Sequence, residues 1–454
     1  MRKIILKILF FAFFFLLGIG MSFSDMGHNE NFMAYRNQTV NSEFESPVQS
    51  KAVSYQLNNK LSDYTETKNI DLLVTNLLEK DGIKGASVAI SYQSKLVYAK
   101  GFGYANIETK EKVKPKHLFR IASVSKLITA VAIMKLVEDG KLHLFEHVFG
   151  PLGILNDPAY LDYSDKRFED ITVDQLLHHT AGWGPDQYDP LFLPQQVAKI
   201  MDVSSPPDIP TTIAYTLKQG LRFKPGTIYH YSNIGYVILG QVIAKVSGMD
   251  YEDYVTSAIL HPIGVYDMHI GKNFYIDKAP NEVTYYDTEE QPLSLSLDGS
   301  NTYVPAPYGG NNIEALSAAG GWIASASGLL QFILAIDGFP EQPDILSKKS
   351  IKKMVTPDKN GNSLIGWRGA DGKGTWWRTG TLSGTSALVM RQSNKVNWVV
   401  LFNSSSEKRN SIHRDISRTM FTAVYSVKDW PGVDLFEYCQ PKPLEPVQLA
   451  SLNY

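Results

Sequence analysis

The sequence predicts an α+β fold: an antiparallel sheet built from both chain ends, flanked by helices, with an inserted mainly α-helical subdomain. Three observations lead there. Short β-prone runs lie near residues 86–101 and again near 375–403, and helical patterns fill the chain between them. Neither group of strands is large enough to stand alone, so pairing the two groups is the economical way to cover their apolar faces.

Taking the elements in order, Ile70, Leu73, Val74, Leu77 and Leu78 recur at three-and-four spacing, and Asp81-Gly82 stops the pattern, which defines a helix. Ala86 to Tyr92 and Lys95 to Gly101 form a hairpin across Gln93-Ser94. A second helix spans Ser123 to Glu138, with Leu127, Val131, Met134, Leu136 and Val137 as apolar positions and Asp139-Gly140 as the stop. From about Lys141 to Asn312 the chain reads as helical and loop-rich, including Val173 to His178 and the apolar segment Ile234 to Val246. Strands return at Thr375 to Thr379, Ser386 to Arg391 and Val396 to Asn403, with turns at Ser383-Gly384 and Ser393-Asn394, and a helix from Ser411 to Val424 follows. Beyond Lys428, the prolines Pro431, Pro441, Pro443 and Pro446 predict an extended wrap or disorder.

The ends suggest where the chain goes. Arg2, Lys3 and Lys7 precede an unbroken apolar stretch from Ile8 to Met21, and Ser22 and Ser24 flank Phe23. This predicts a signal peptide over residues 1–24 with cleavage after Ser24, hence an exported protein, periplasmic or secreted. The stretch is short for a spanning helix, which needs about 20 residues, so membrane contact is expected only if this segment stays uncleaved. A polar leader over 25–57 precedes the main domain, 58–428, whose inserted helical part covers about 141–312; 429–454 is a C-terminal extension. Lys plus Arg number 44 against 46 Asp plus Glu, and loss of the three N-terminal basic residues leaves a formal charge of −5. No long basic run is present to track phosphates, which argues against nucleic acid as a partner. The single cysteine, Cys439, provides no internal disulfide, and a chain of this length can build a core without one.

Chemistry concentrates in three places. In Ser123-Val124-Ser125-Lys126, three-residue spacing on a helix brings an amine to the serine's face, and a serine hydroxyl needs such a proton acceptor to act as a nucleophile. Ser350 to Lys353 and Ser405 to Lys408 share the S-x-x-K spacing but lie in polar, lysine-rich stretches, whereas Lys126 begins an apolar helix that would desolvate its amine. The bland alternative is a capping serine and an unrelated surface lysine. Tyr231-Ser232-Asn233 follows the Lys224-Pro225-Gly226 turn; its phenol, beside an ammonium, can accept a proton, while the asparagine amide can orient lysine and substrate. Matching Y-x-N patterns at Tyr35 to Asn37 and Tyr104 to Asn106 fall in the leader and beyond the hairpin. Arg378-Thr379-Gly380-Thr381 ends a strand: glycine permits close approach, a cation can hold a carboxylate, and the next N–H can face an oxyanion. An ordinary hairpin strand with a surface arginine is the competing reading.

These three elements, in this order, resemble the signature of the serine β-lactamase and penicillin-binding family: S-x-x-K, then Y-x-N or S-x-N, then K-T-G. The tyrosine resembles the branch of class C β-lactamases, D-Ala-D-Ala carboxypeptidases and related esterases. Similarity extends to Phe119 to Lys126, Leu176-Leu177-His178-His179-Thr180-Ala181-Gly182, Phe223-Lys224-Pro225-Gly226 and Ala318-Ala319-Gly320-Gly321, over roughly Ile70 to Val424. The resemblance implies a β-lactamase-like fold and a serine hydrolase. Ser123, Lys126 and Tyr231 would be catalytic, the N–H groups of Ser123 and Thr381 would form the oxyanion hole, and Asn233, Arg378, Thr379 and Gly380 would bind substrate. The chain departs from the family at Arg378, where Lys or His is usual. Arginine can grip a carboxylate by two hydrogen bonds but cannot shuttle a proton at neutral pH, which argues against efficient β-lactam turnover.

The expected substrate is a small molecule or peptide, carboxylate-bearing ones among them, carrying an ester, amide or β-lactam carbonyl. No cofactor and no metal are expected: His143 and His147 follow the helix stop at Gly140 and lack the glutamate of H-E-x-x-H. His178-His179 reads as a helix end. Trp183, Trp322, Trp376 and Trp377 read as core, with an apolar acyl pocket as their functional alternative, and Ser347 to Lys353 reads as a solvated helix face. A catalytically weak binding or scaffold protein on the same fold is the rival reading, and an α/β-hydrolase lipase is disfavoured because G-x-S-x-G does not occur.

Overall fold

The computed structural model describes residues 56–288, 293–359, 361, 363–406 and 411–439. The signal peptide, most of the leader, the tail from 440 and Lys408 of the third S-x-x-K match lie outside these.

The sheet's strands are rich in β-branched and aromatic residues and short in charge, the composition of strands covered on both faces. β1 (Gly85–Tyr92), β2 (Lys95–Asn106), β3 (Glu111–Lys112), β9 (Gly369–Ala370), β10 (Trp376–Leu382), β11 (Thr385–Arg391) and β12 (Val396–Phe402) form one sheet in the order β3-β2-β1-β12-β11-β10-β9. Every neighbouring pair is antiparallel. The two chain ends meet in its middle, where Ala86 faces Phe402 and Tyr92 faces Val396. The pairing of both ends expected from sequence is therefore present.

Alternation decides which side chain goes where. Val88, Ile90, Leu388, Met390, Trp398, Val400 and Phe402 point to one face and pack beneath the helices Lys68–Asp81 and Ile412–Ser426 through Ile70, Val74, Leu77, Ile412, Ile416 and Met420. The first helix ends where Gly82 takes a left-handed conformation (φ 66°), which a glycine adopts without a Cβ clash. Ala89, Leu96, Ala99, Ala387, Val389, Val399 and Leu401 point the other way, into the larger core shared with the helices Ser125–Glu138 and Ala326–Leu334. Removing Ile416, fully buried between helix and sheet, to alanine is expected to cost about 2–5 kcal/mol.

Between residues 141 and 312 helices at Val173–Leu177, Pro194–Met201, Ile209–Lys218, Asn233–Ser247 and Tyr251–Val255 alternate with long loops and short turns. Five short strands escape sequence patterning: β4 (Phe119–Arg120), β5 (His269–Ile270) and β8 (Trp322–Ala324) make a small sheet in the order β4-β8-β5, and β6 (Ser294–Leu295) pairs with β7 (Tyr303–Val304). Two or three residues show no periodicity, and in the three-stranded sheet the partners are far away in sequence.

The chain ends of the described body are packed rather than loose. Leu57 is buried and its N–H donates to the Tyr438 carbonyl (3.2 Å), while Asp434 accepts from the Leu96 N–H (3.1 Å) and Leu435 is buried. Residues 429–439 thus form the wrap, ending in a 3-10 turn at Leu435–Tyr438. No helix among the described residues is long and apolar enough to cross a membrane.

Candidate active site

The site begins with the strand that delivers the serine. Arg120 is buried on β4 and donates to the carbonyls of Pro307 (2.6 Å) and Lys272 (2.9 Å), its own carbonyl accepts from Thr385 Oγ1 (2.8 Å), and Ile121 N–H donates to Trp322 O (3.0 Å). Clamped in this way, the chain turns sharply: Ala122 sits at φ 47°, a region non-glycine residues seldom occupy, and leads a 3-10 turn, Ala122–Val124. The α-helix proper starts only at Ser125. The serine therefore stands on the tight turn before the helix, which begins two residues later than the sequence-based expectation.

From that turn Ser123 Oγ lies 3.3 Å from Lys126 Nζ and 2.8 Å from Tyr231 Oη. Lys126 is fully buried, and its ammonium also donates to Asn233 Oδ1 (2.6 Å) and to the Ala319 carbonyl (2.7 Å). Ala318 to Gly321 thereby earn their place: the Ala319 carbonyl holds the lysine, and Ala318 O accepts from Thr129 Oγ1 (2.6 Å) on the same helix. Tyr231 and Asn233 come from the start of the Asn233–Ser247 helix, whose cap is Ser232, with Oγ accepting from Gly235 N–H (3.1 Å).

Arg378 is not a surface residue. It is 3% exposed, its Nε donates to the Ser123 carbonyl (2.7 Å), and its Nη2 approaches Tyr231 Oη (3.1 Å). The guanidinium faces the serine turn and the phenol. Gly380 is needed next to it: a Cβ there would stand 2.2 Å from Ile121 O and 3.0 Å from Ser123 N. Strand β10 can lie against the serine turn only because that atom is missing. Thr379 is half-buried, and Thr381, one residue beyond the contact, is exposed with its hydroxyl 3.4 Å from His413 Nε2.

Charge in this cluster is uneven. Burial pushes the Lys126 amine below its ordinary range, and the Arg378 charge pushes the same way, against the opposing pull of Tyr231 and Asp189. For Tyr231, burial alone would raise the phenol, but Lys126 and Arg378 outweigh it and bring it down to about 8. Two cations thus favour a phenolate 2.8 Å from the serine hydroxyl.

Two further residues belong here that sequence reasoning did not select. His179 follows the Val173–Leu177 helix at φ 56°, which turns its ring inward, 4.5 Å from the Tyr231 ring and 5.0 Å from that of Tyr236. Its Nδ1 accepts from Ser232 N–H (3.2 Å), and burial together with Lys126 and Arg378 keeps it well below the usual imidazole range, hence neutral. Asp189, from the loop before the Pro190–Phe192 turn, accepts from Asn233 through both Nδ2 (2.9 Å) and the backbone N–H (3.3 Å). A signal for Asp189 was present in Asp-Pro, a common way to open a turn, but nothing local ties it to a residue 44 positions away.

The competing features fall elsewhere. Trp322 is core, with its indole N–H on Tyr251 Oη (2.9 Å), and Trp183 is buried against Gly235. Trp376 and Trp377 are half-buried, the former stacked edge-on against Trp367. Ser350 is a buried residue of the short helix Lys348–Met354, whose lysines face outward. His143 and His147 are exposed, and among the described residues no group of three or more His, Cys, Asp or Glu side chains is placed to hold a metal. Tyr104 is on β2, paired with Lys112.

The family profile described as Beta-lactamase matches residues 70–418. The chain belongs to the β-lactamase family. Among its relatives is Protein flp of Staphylococcus aureus (strain NCTC 8325 / PS 47), 27% identical over 346 residues, covering 75% of this chain and 64% of that protein. The chain thus spans just under two thirds of the curated relatives first matched. The Bacillus subtilis (strain 168) protein named penicillin-binding protein PbpX is 27% identical over 362 residues, 78% of this chain and 79% of PbpX. The D-amino acid amidase from Ochrobactrum anthropi SV3, complexed with L-phenylalanine amide, shares the fold with a TM-score of 0.60 at 20% identity, covering 81% of this chain and all of the amidase chain. The family is one of β-lactamase-fold serine hydrolases, and the likeness to a penicillin-recognising family noted in the motifs is that of a true member.

Proposed function

We propose that the protein is an exported serine hydrolase that acts through an acyl-enzyme on an ester, amide or β-lactam carbonyl. The observation that carries this reading is the convergence of Ser123 Oγ with Tyr231 Oη at 2.8 Å and Lys126 Nζ at 3.3 Å. Ser123 attacks the carbonyl carbon while its proton passes to Tyr231, and Lys126 and Tyr231 deliver a proton to the departing oxygen or nitrogen. The oxyanion sits between the N–H groups of Ser123 and Thr381; loss of one such donor typically costs about 10²- to 10³-fold in rate. A water then gives its proton to Tyr231 or Lys126, its oxygen bonds to the acyl carbon, and the acid leaves with Ser123 restored.

Arg378 acts in this reading as a fixed charge that favours the phenolate. Substrate contacts fall to the edge of β10 at Thr379 to Thr381 and to the neighbouring cavity of about 320 Å³, lined by Phe192, Asn311, Leu382 and Ser386 among others. Names such as amidase and penicillin-binding protein among the relatives support an amide or a related acyl compound as the substrate class. Export is supported by Arg2, Lys3 and Lys7 ahead of the apolar Ile8 to Met21, and N-terminal sequencing of the mature protein is expected to start at Asp25. The deciding experiment is labelling by a fluorophosphonate: wild type gains one adduct on Ser123 and Ser123→Ala gains none. A folded wild type that stays unlabelled would leave the rival reading, a binding protein with little turnover.

A further inference from the structure

Asn233 has its amide fixed at both ends. Oδ1 accepts from the Lys126 ammonium at 2.6 Å, and Nδ2 donates to Asp189 Oδ2 at 2.9 Å. Turning the amide over would set N–H donors against an ammonium and a carbonyl oxygen against a carboxylate, so both contacts would become repulsive. The two ends are not equivalent during turnover. Acyl transfer requires Lys126 to give up and regain a proton, and a neutral amine no longer demands an acceptor. At that moment only the Asp189 end still selects the orientation.

We infer that Asp189 is a positioning residue for acyl transfer: its carboxylate keeps Asn233 Oδ1 aimed at Lys126 Nζ throughout the proton cycle. The inference rests on the acyl-enzyme reading above and adds to it a residue that touches neither the serine nor the substrate. Asp189 also has a local duty, since its Oδ1 accepts from Leu191 N–H at 3.2 Å and caps the Pro190–Phe192 turn. The two duties separate by chemistry. A serine can still cap the turn, because serine and aspartate are both good caps, but its shorter side chain falls short of Asn233 Nδ2.

The charged and titratable groups facing Lys126 are Tyr231, Arg378 and Asp189, with the neutral His179 ring behind Tyr231 and the Tyr236 ring 5.6 Å away. Asp189 favours the charged lysine alongside the larger pull of Tyr231, so its removal makes Lys126 lose its proton at lower pH.

The test is Asp189→Ser in the full chain, assayed by kcat/KM for a short-chain p-nitrophenyl ester across the pH range and by the rate of fluorophosphonate labelling. We expect kcat to fall roughly ten- to a hundredfold, the scale of a small misplacement of catalytic groups, with KM within about twofold. The limb of the pH profile that reports Lys126 moves to lower pH. In an Asn233→Ala background the same substitution costs less than about twofold, because the amide it positions is gone. Additive losses in the double variant, or a fall in thermal stability with no change in the pH profile, would overturn the inference and leave Asp189 as a turn cap only. If Asp189→Ser does not fold, Asp189→Asn gives the same comparison through the pH profile. A wild type that fails to label at Ser123 sinks the acyl-enzyme reading itself; one that labels while Asp189→Ser reacts equally fast sinks only this inference.

Discussion

Replacing Arg378 by methionine removes a buried charge next to the phenol while keeping most of the side-chain volume, and the structure sets how large the effect should be. Tyr231 stands at about 8 because Lys126 and Arg378 overcome the effect of burial. At pH 7 a phenol of pKa about 8 is roughly one-tenth ionised; at the ordinary value of about 10 it would be roughly one-thousandth ionised. Losing the influence of both cations would leave burial unopposed and carry the phenol above its ordinary value, so the cost in the active form at pH 7 would exceed about 100-fold. Lys126 exerts the larger pull and Arg378 the smaller; if Arg378→Met raises the acid limb of kcat/KM from about 8 to about 9, the change is equivalent to about 1.4 kcal/mol. The sign follows from which form works: the phenolate accepts the serine proton, so activity rises with pH through the limb, and the variant's deficit is about 10-fold at pH 7 and disappears above about pH 10. The assay is ester hydrolysis from pH 6 to pH 10.5, with thermal melting to confirm folding. A loss of equal size at pH 7 and at pH 10 would refute the argument, since it would mean that Arg378 matters through packing or substrate contact and not through its field on Tyr231.

Gly380→Ala places a methyl group 2.2 Å from Ile121 O, so β10 must withdraw from the serine turn; labelling at Ser123 is expected to slow by about 10²-fold or more while the sheet still forms, as circular dichroism would report. His179→Ala opens a cavity beside Tyr231 and strands the Ser232 N–H, which should cost about 3 kcal/mol in denaturant unfolding and lower kcat more than it raises KM. With penicillin, intact-mass analysis is expected to show an adduct on Ser123 that outlasts the acyl group left by a p-nitrophenyl ester, because a guanidinium beside the site cannot shuttle a proton. Rapid, complete turnover of penicillin would contradict that reasoning.

The parts of the molecule legible in the sequence are those where function and local pattern coincide. Ser123 and Lys126 are three residues apart and Tyr231 and Asn233 two, so one helix start and one turn bring each pair together; the apolar helix behind Lys126 signalled its burial. Strands β1, β2, β10, β11 and β12 are long enough for composition and turns to reveal them. What escaped notice depends on geometry that no short window contains. The direction of Arg378 is set by how β10 lies against residues 121–123, so the same residue type that grips carboxylates elsewhere here faces inward. His178-His179 was legible as a helix end, and His178 is the cap, but the positive φ of His179 is what points its ring at Tyr231. The exact start of the catalytic helix was misplaced because serine at a helix start is ordinarily a cap, whereas here Ala122 takes the strained conformation and Ser123 belongs to the 3-10 turn.

The register that puts Ala86 against Phe402 has a consequence for how this chain folds. Contacts spanning some 300 residues form slowly, since a very long loop must close before any gain is realised. Until β12 has been synthesised and docked, β1 lacks one of its two neighbours, β11 and β10 have nothing to lie on, and the floor under the serine turn is missing. A nascent or truncated chain ending before Val396 therefore carries Ser123, Lys126 and Tyr231 in its covalent sequence without the completed sheet behind them, and the order in which the chain is made leaves the centre of that sheet to its last strand.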